Sequence, residues 1–123
     1  MPKKIVLVGH CGADASYLVI SIRRAMGDAQ VVLADDEARL ARLLDEGVDL
    51  VLLNRELNYG FAEDQGVDVI RRLRLEHPHV KVMLVSDYAE AQAEAVAAGA
   101  MPGFGKRELG TPRVAELLRE SLV

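Results

Sequence analysis

The run Val48-Asp49-Leu50-Val51-Leu52-Leu53-Asn54 constrains this chain more than any other stretch. Five of its seven residues are Val or Leu, with no alternation of polar and apolar positions. A strand with one wet face alternates; a strand buried on both faces does not. The run follows a helical segment that stops at Gly47 and precedes a loop rich in Asn, Gly, Glu and Asp. It therefore reads as the centre of a parallel sheet. In open α/β sheets, the residue at the carboxyl end of such a strand faces the crevice where chemistry is placed. That residue is Asn54, an uncharged amide.

The remaining elements alternate around this strand. Ile5-Val6-Leu7-Val8 is expected as a first buried strand closed by Gly9, followed by a loop to Ala13 and a helix capped by Asp14. That helix repeats Leu18, Ile22, Ala25 and Met26 at helical spacing, and Gly27-Asp28 stops it. Gln30 to Ala34 is a second strand. Asp35 or Asp36 caps a second helix with Leu40, Leu43 and Leu44 inward and Gly47 as its terminating glycine. After Asn54, the connection Arg55 to Gln65 exceeds the roughly 2–6 residues usual between a strand and a helix. The third helix carries Val67, Ile70, Leu73 and Leu75 inward, and Arg71, Arg72 and Arg74 toward water.

Residues His79 to Ser86 contain a fourth strand, and Ala89 to Ala98 form an Ala-rich helix ended by Gly99. Met101 to Gly105 reads as a weak fifth strand suited to a sheet edge, because Pro and Gly interrupt it. Thr111 as N-cap and Pro112 at the first helical position open a last helix with Val114, Leu117, Leu118 and Leu122 inward. Five strand–helix units predict an α/β, flavodoxin-like (βα)5 three-layer sandwich over residues 1–123, with parallel strand order 2-1-3-4-5. That order brings Gly9, His10, Asn54, Ser86 and Lys106 to one end of the sheet.

Composition bounds the function. The formal net charge of -4 argues against a nucleic-acid surface. No apolar run approaches the ~20 residues that span a bilayer, and no signal-peptide core follows the amino terminus. One cysteine excludes an intrachain disulfide framework and suits a reducing compartment, so a cytoplasmic protein is expected. The chain shows no DNA-binding segment, so direct transcriptional output is not expected.

Three pieces carry a resemblance to a known family. They are Val48 to Asn54, the Ser86 hydroxyl after a buried strand, and Gly99-Ala100-Met101-Pro102-Gly103-Phe104-Gly105-Lys106. In this order and on these elements, the chain resembles the CheY-like receiver domains of two-component response regulators. The resemblance implies phosphoryl transfer to an aspartate at the position of Asn54, and Mg²⁺ held by an acidic pair at the positions of Gly9 and His10. It likewise matches Ser86 to the family's phosphoryl-sensing hydroxyl and Lys106 to its phosphate-pairing lysine.

The departures are chemical. An amide is a far weaker nucleophile than a carboxylate. Glycine and imidazole are poor replacements for the hard oxygen ligands that magnesium prefers. Asp14, Asp35 and Asp87 remain as carboxylates, but Asp14 and Asp35 read as helix caps and Asp87 as a turn residue. Gly103 stands at the family's aromatic switch position with Phe104 one place later, and Arg107 replaces the usual proline. The expectation is a degenerate receiver, a pseudo-receiver that signals through protein contacts without phosphorylation, cofactor, metal or enzymatic activity. Its partners would dock on the face made by helix 4, strand 5 and helix 5, which would also serve a homodimer. Within the crevice, an Asn54 amide bridging Ser86 and Lys106 would leave no buried charge unpaired.

The alternative reading is a sensor. Lys106 and the amino end of the first helix could bind an anion or small ligand. Gly9-His10-Cys11-Gly12 places a thiol beside that helix end, where Cys11 is a candidate redox group and His10 is expected to titrate near neutrality. One Cys and one His do not make a metal site, and His77 and His79 fall at the other end of the sheet.

Overall fold

The computed structural model describes residues 2–122; Met1 and Val123 lie outside them. The elements alternate as β1 (Lys4–Val8), α1 (Gly12–Ala25), β2 (Gln30–Ala34), α2 (Glu37–Glu46), β3 (Leu50–Asn54), α3 (Gly66–Glu76), β4 (Lys81–Val85) and α4 (Ala89–Ala97). A 3-10 turn (Lys106–Glu108) and α5 (Pro112–Ser121) complete them. The ladders are all parallel, in the order β2-β1-β3-β4. β3 is paired on both edges, and helices cover both of its faces, which is why its sequence has no wet face.

Period-two alternation along the strands feeds two separate cores. Val6, Val8, Val51, Leu53, Val82 and Leu84 pack under α2, α3 and α4. Ile5, Leu7, Leu50, Leu52, Met83 and Val85 pack under α1 and α5. The result is the three-layer, flavodoxin-like arrangement expected from the alternation.

The fifth strand is the first correction. Met101 to Gly105 does not form a strand; it touches β4 through a single parallel bridge, Val85 with Phe104. The Met101 amide donates to the Val82 carbonyl at 2.9 Å, and the Ser86 amide to the Phe104 carbonyl at 2.9 Å. Those two bonds are out of step with a regular parallel ladder. Between them lies Pro102, which has no N–H, and Gly103, where a Cβ would stand 2.2 Å from the Leu84 carbonyl oxygen. The donor that a strand would offer Leu84 comes instead from the Gln92 side chain, Nε2 at 2.8 Å. The segment still lies on the outer side of β4, the place of strand 5 in the order 2-1-3-4-5.

Smaller corrections follow the helix geometry. Cys11 is the N-cap of α1, and Asp14 sits in its first turn. Asp36, not Asp35, caps α2, its Oδ1 accepting the Arg39 amide at 2.8 Å. Thr111 holds the N-cap position of α5 before Pro112 but makes no side-chain cap bond. Leu75 is 85% exposed; two positions past the buried Leu73 is a turn of roughly 200° around the helix.

Arg72 is not a freely solvated side chain. Its Nε meets Glu63 at 2.6 Å, its Nη2 meets Glu37 at 2.7 Å, and its Nη1 meets Glu76 at 3.1 Å. One guanidinium thus joins α2, α3 and the long connection after Asn54, and it holds the Glu63 carboxyl below its ordinary range. Arg72→Ala is expected to lower stability by about 1–2 kcal/mol, a value discounted for the partial exposure of Glu37 and Glu76. Hydrogen exchange should speed up at amides of Arg55 to Gln65 and not in β1 or β3. An unchanged exchange pattern would contradict the clamp.

Candidate functional site

The carboxyl ends of β1, β3 and β4 converge, as topology requires. Gly9 has a φ of +76°, and a Cβ there would stand 2.4 Å from Leu57 Cδ2. Leu57 comes from the long connection and is buried under the β1 end. Asn54 stands at the end of β3, and its Nδ2 donates to the Glu56 carbonyl at 3.1 Å. Ser86 follows β4, and its Oγ accepts the Tyr88 amide at 3.1 Å, fixing the turn into α4. Lys106 follows the Phe104 bridge, and its Nζ pairs with Asp14 Oδ2 at 2.7 Å.

The residues picked out from the sequence therefore share one end of the sheet but not one hydrogen-bond network. The amide of Asn54 does not bridge Ser86 and Lys106; each of the three has a separate local partner. Two small clefts flank Asn54. One, of about 170 Å³, is bounded by Gly9, His10, Asp14, Asp35 and Tyr59. The other, of about 190 Å³, is bounded by Glu56, Ser86, Asp87, Tyr88 and Lys106.

The residues at the acidic-pair positions do not suit a magnesium ion. Gly9 brings no side chain, and the His10 ring is turned to the Leu52 carbonyl. Asp14 is occupied by Lys106, whose ammonium holds that carboxyl below its ordinary range. Asp87 accepts the Arg107 amide at 3.1 Å. No cluster of three His, Cys, Asp or Glu side chains able to hold a metal occurs among the described residues.

His10 is 8% exposed, and its Nε2–H donates to the Leu52 carbonyl at 2.9 Å. That bond fixes the neutral tautomer and leaves Nδ1 buried without a partner. Burial pushes the imidazole below its ordinary value of 6.5, and Lys106 adds to this. The titration of His10 is therefore moved to the acid side of its ordinary value. The unfolded chain binds the proton first, so His10 favours the fold above pH 6.5, and that contribution is lost as pH falls below 6.5 toward the depressed folded value. Urea denaturation should show stability dropping below pH 6.5, with a shallower slope in His10→Gln, whose amide can still donate to Leu52. Equal slopes would rule out this role.

Cys11 is exposed at the N-cap of α1. Two residues that organise the site carried no sequence motif. Gln92 donates from Nε2 to the carbonyls of Leu84, Ser86 and Phe104 at 2.8, 3.1 and 3.3 Å. The one clue was a single amide on the inner face of an Ala-rich helix, three residues before the buried Ala95. Arg72 offered less, since only Glu76 of its three partners lies at helical spacing.

The fold is that of receiver domains. A receiver domain of a DNA-binding response regulator from Colwellia psychrerythraea matches with a TM-score of 0.74 at 19% identity, covering 96% of each chain. The beryllofluoride-activated NtrC4 receiver domain dimer matches at 0.76 and 12% identity, over 97% of this chain and 95% of that one. The receiver domain of Saccharomyces cerevisiae Ssk1, solved with the histidine phosphotransfer protein Ypd1, matches at 0.72 and 12% identity, over 99% and 92%. No family model matches the sequence, and no curated protein shows significant similarity to it. No helix among the described residues is long and apolar enough to cross a membrane.

Proposed function

We propose that residues 1–123 form one pseudo-receiver, a signalling module that works through protein contacts and not through phosphorylation of Asn54. The observation that carries this reading is the state of the crevice. Asn54 is an amide bonded to Glu56, and Lys106 is neutralised by Asp14. The groups a receiver would turn on a phosphoryl group are each engaged elsewhere, Asn54 and Ser86 with backbone and Lys106 with Asp14. The same ion pair speaks against the anion-sensing alternative, because the cation already has its counter-charge. No catalytic role is assigned to His10, Cys11, Ser86 or Lys106.

Partner binding is placed on the face made by α4, the Phe104 segment and α5. A shallow groove of about 720 Å³ runs there, bordered by Ala93, Val96, Ala97, Pro102 and Arg113. Small side chains on α4 let another helix approach closely. Gln92 links this groove to the crevice by joining Ser86 and Phe104. Among the similar structures, the Ssk1 receiver domain was solved with the phosphotransfer protein Ypd1, and the NtrC4 receiver domain as a dimer.

The test is affinity capture from the source cell with quantitative mass spectrometry. Asn54→Ala should retain the partner set of the parent chain, and Ala93→Arg should lose it. Loss in Asn54→Ala with retention in Ala93→Arg would reverse the assignment. The protein is placed in the cytoplasm, with no nucleic-acid or membrane partner.

A further inference from the structure

A second surface stands out on the opposite edge of the sheet. Tyr17, Ile20, Leu33 and Tyr59 are 65%, 50%, 45% and 75% exposed, and they make up most of the exposed large apolar side chains among the described residues. Tyr17 and Ile20 lie three apart on α1, on neighbouring turns of one face. Leu33 belongs to β2, the edge strand, and Tyr59 to the long connection. Ile20, Leu33 and Tyr59, with Val19, border one groove of about 560 Å³ that ends at Asp35. Single exposed apolar residues are ordinary, but a contiguous group marks an interface.

The charges beside this groove say what covers it. Arg23 and Arg24 stand in the last turn of α1. Asp35 borders the groove at the other end of the helix, beside His10 and Cys11. Neither arginine nor Asp35 has an ion-pair partner among the described residues. α1 has 14 residues and so is about 21 Å long. The surface therefore carries an unpaired cation pair at one end, an unpaired anion at the other and an apolar middle. Such a surface is complementary to itself when turned by 180°. Antiparallel packing of α1 on α1 would bring Arg23 and Arg24 of each copy toward Asp35 of the other, with Ile20 and Tyr17 near the axis. Parallel packing would oppose like charges.

We propose that a second copy of this chain docks on this face, with α1 antiparallel to α1 in a two-fold, isologous interface. The groove beside Phe104 is left free for the heterologous partner. The self-association does not depend on the pseudo-receiver reading: Asp35 and Tyr59 also border the cleft beside Asn54, but the interface asks neither of them, nor Asn54, Ser86 or Lys106, to hold or exclude a phosphate.

Sedimentation equilibrium of the full chain, from micromolar to millimolar concentration, tests it. The parent chain should show a monomer–dimer equilibrium, and Ile20→Glu should be monomeric with an unchanged far-ultraviolet circular dichroism spectrum. Asp35→Arg alone, and Arg23→Glu with Arg24→Glu, should each weaken the dimer about tenfold or more. The three changes combined should restore most of that loss. A parent chain that stays monomeric throughout, a dimer that survives Ile20→Glu, or a charge swap that restores nothing would each overturn the proposal.

Discussion

Phe104→Ala is expected to destabilise the fold by about 3–5 kcal/mol, as large aromatic truncations in cores do. Phe104 is 1% exposed and packs into the core under α1 and α5. Its backbone makes the one bridge that stands in for a fifth strand. A regular strand would spread that attachment over several ladder bonds. Here the Phe104 bridge, the Met101 amide and the Gln92 side chain carry it, so losing the buried ring also removes much of what seats the segment. Domains of this kind are stable by roughly 5–15 kcal/mol, and the loss is a large share of that. Urea denaturation should show a lower midpoint with an unchanged slope. A loss under 1 kcal/mol would mean that the segment is anchored elsewhere.

Gly9→Asp is expected to be nearly as damaging. It is the change that would begin to rebuild an acidic pair, and two independent costs oppose it. The φ of +76° belongs to the left-handed region, where a non-glycine residue costs about 1–3 kcal/mol. The Cβ also meets Leu57 Cδ2 at 2.4 Å, an overpacking cost of about 1–3 kcal/mol more. Gly9→Ala should show most of the same loss, which separates the backbone and packing terms from the charge. Adding Leu57→Ala to Gly9→Ala should recover the packing term and leave the backbone term, a coupling that a double-mutant cycle resolves. Additive losses would contradict the contact.

An aspartate at position 9 therefore meets a backbone and a Leu57 side chain already set for glycine. Asn54→Asp places a carboxylate next to a β1 end that offers no partner for a metal.

The elements were legible because their signals are local. The unbroken apolar run ending at Asn54 could only be a doubly buried strand, and the alternation of strands and helices left one economical topology. Asn54, Ser86, Gly9 and Lys106 were placed at one end of the sheet by that topology alone. What failed were pairings set by three-dimensional neighbours. Lys106 reached Asp14 across the crevice instead of Asn54, because α1 starts at Gly12 and carries Asp14 toward the 3-10 turn. The fifth strand failed because Pro102 and Gly103 cannot complete a ladder, and the residue that compensates, Gln92, sits on a helix. Arg72 read as a solvated arginine because two of its three carboxylates come from distant parts of the chain. The imidazole of His10 read as a titrating loop residue because nothing local foretold its burial at the end of β1.

On the proposed reading, the residue at the end of β3 carries no phosphate. Intact-mass spectrometry of the full chain after incubation with acetyl phosphate and Mg²⁺ tests it most directly. The parent chain should gain no mass, as Asn54→Ala should not. A phosphoryl adduct that is acid-labile, sensitive to hydroxylamine and absent from Asn54→Ala would contradict it.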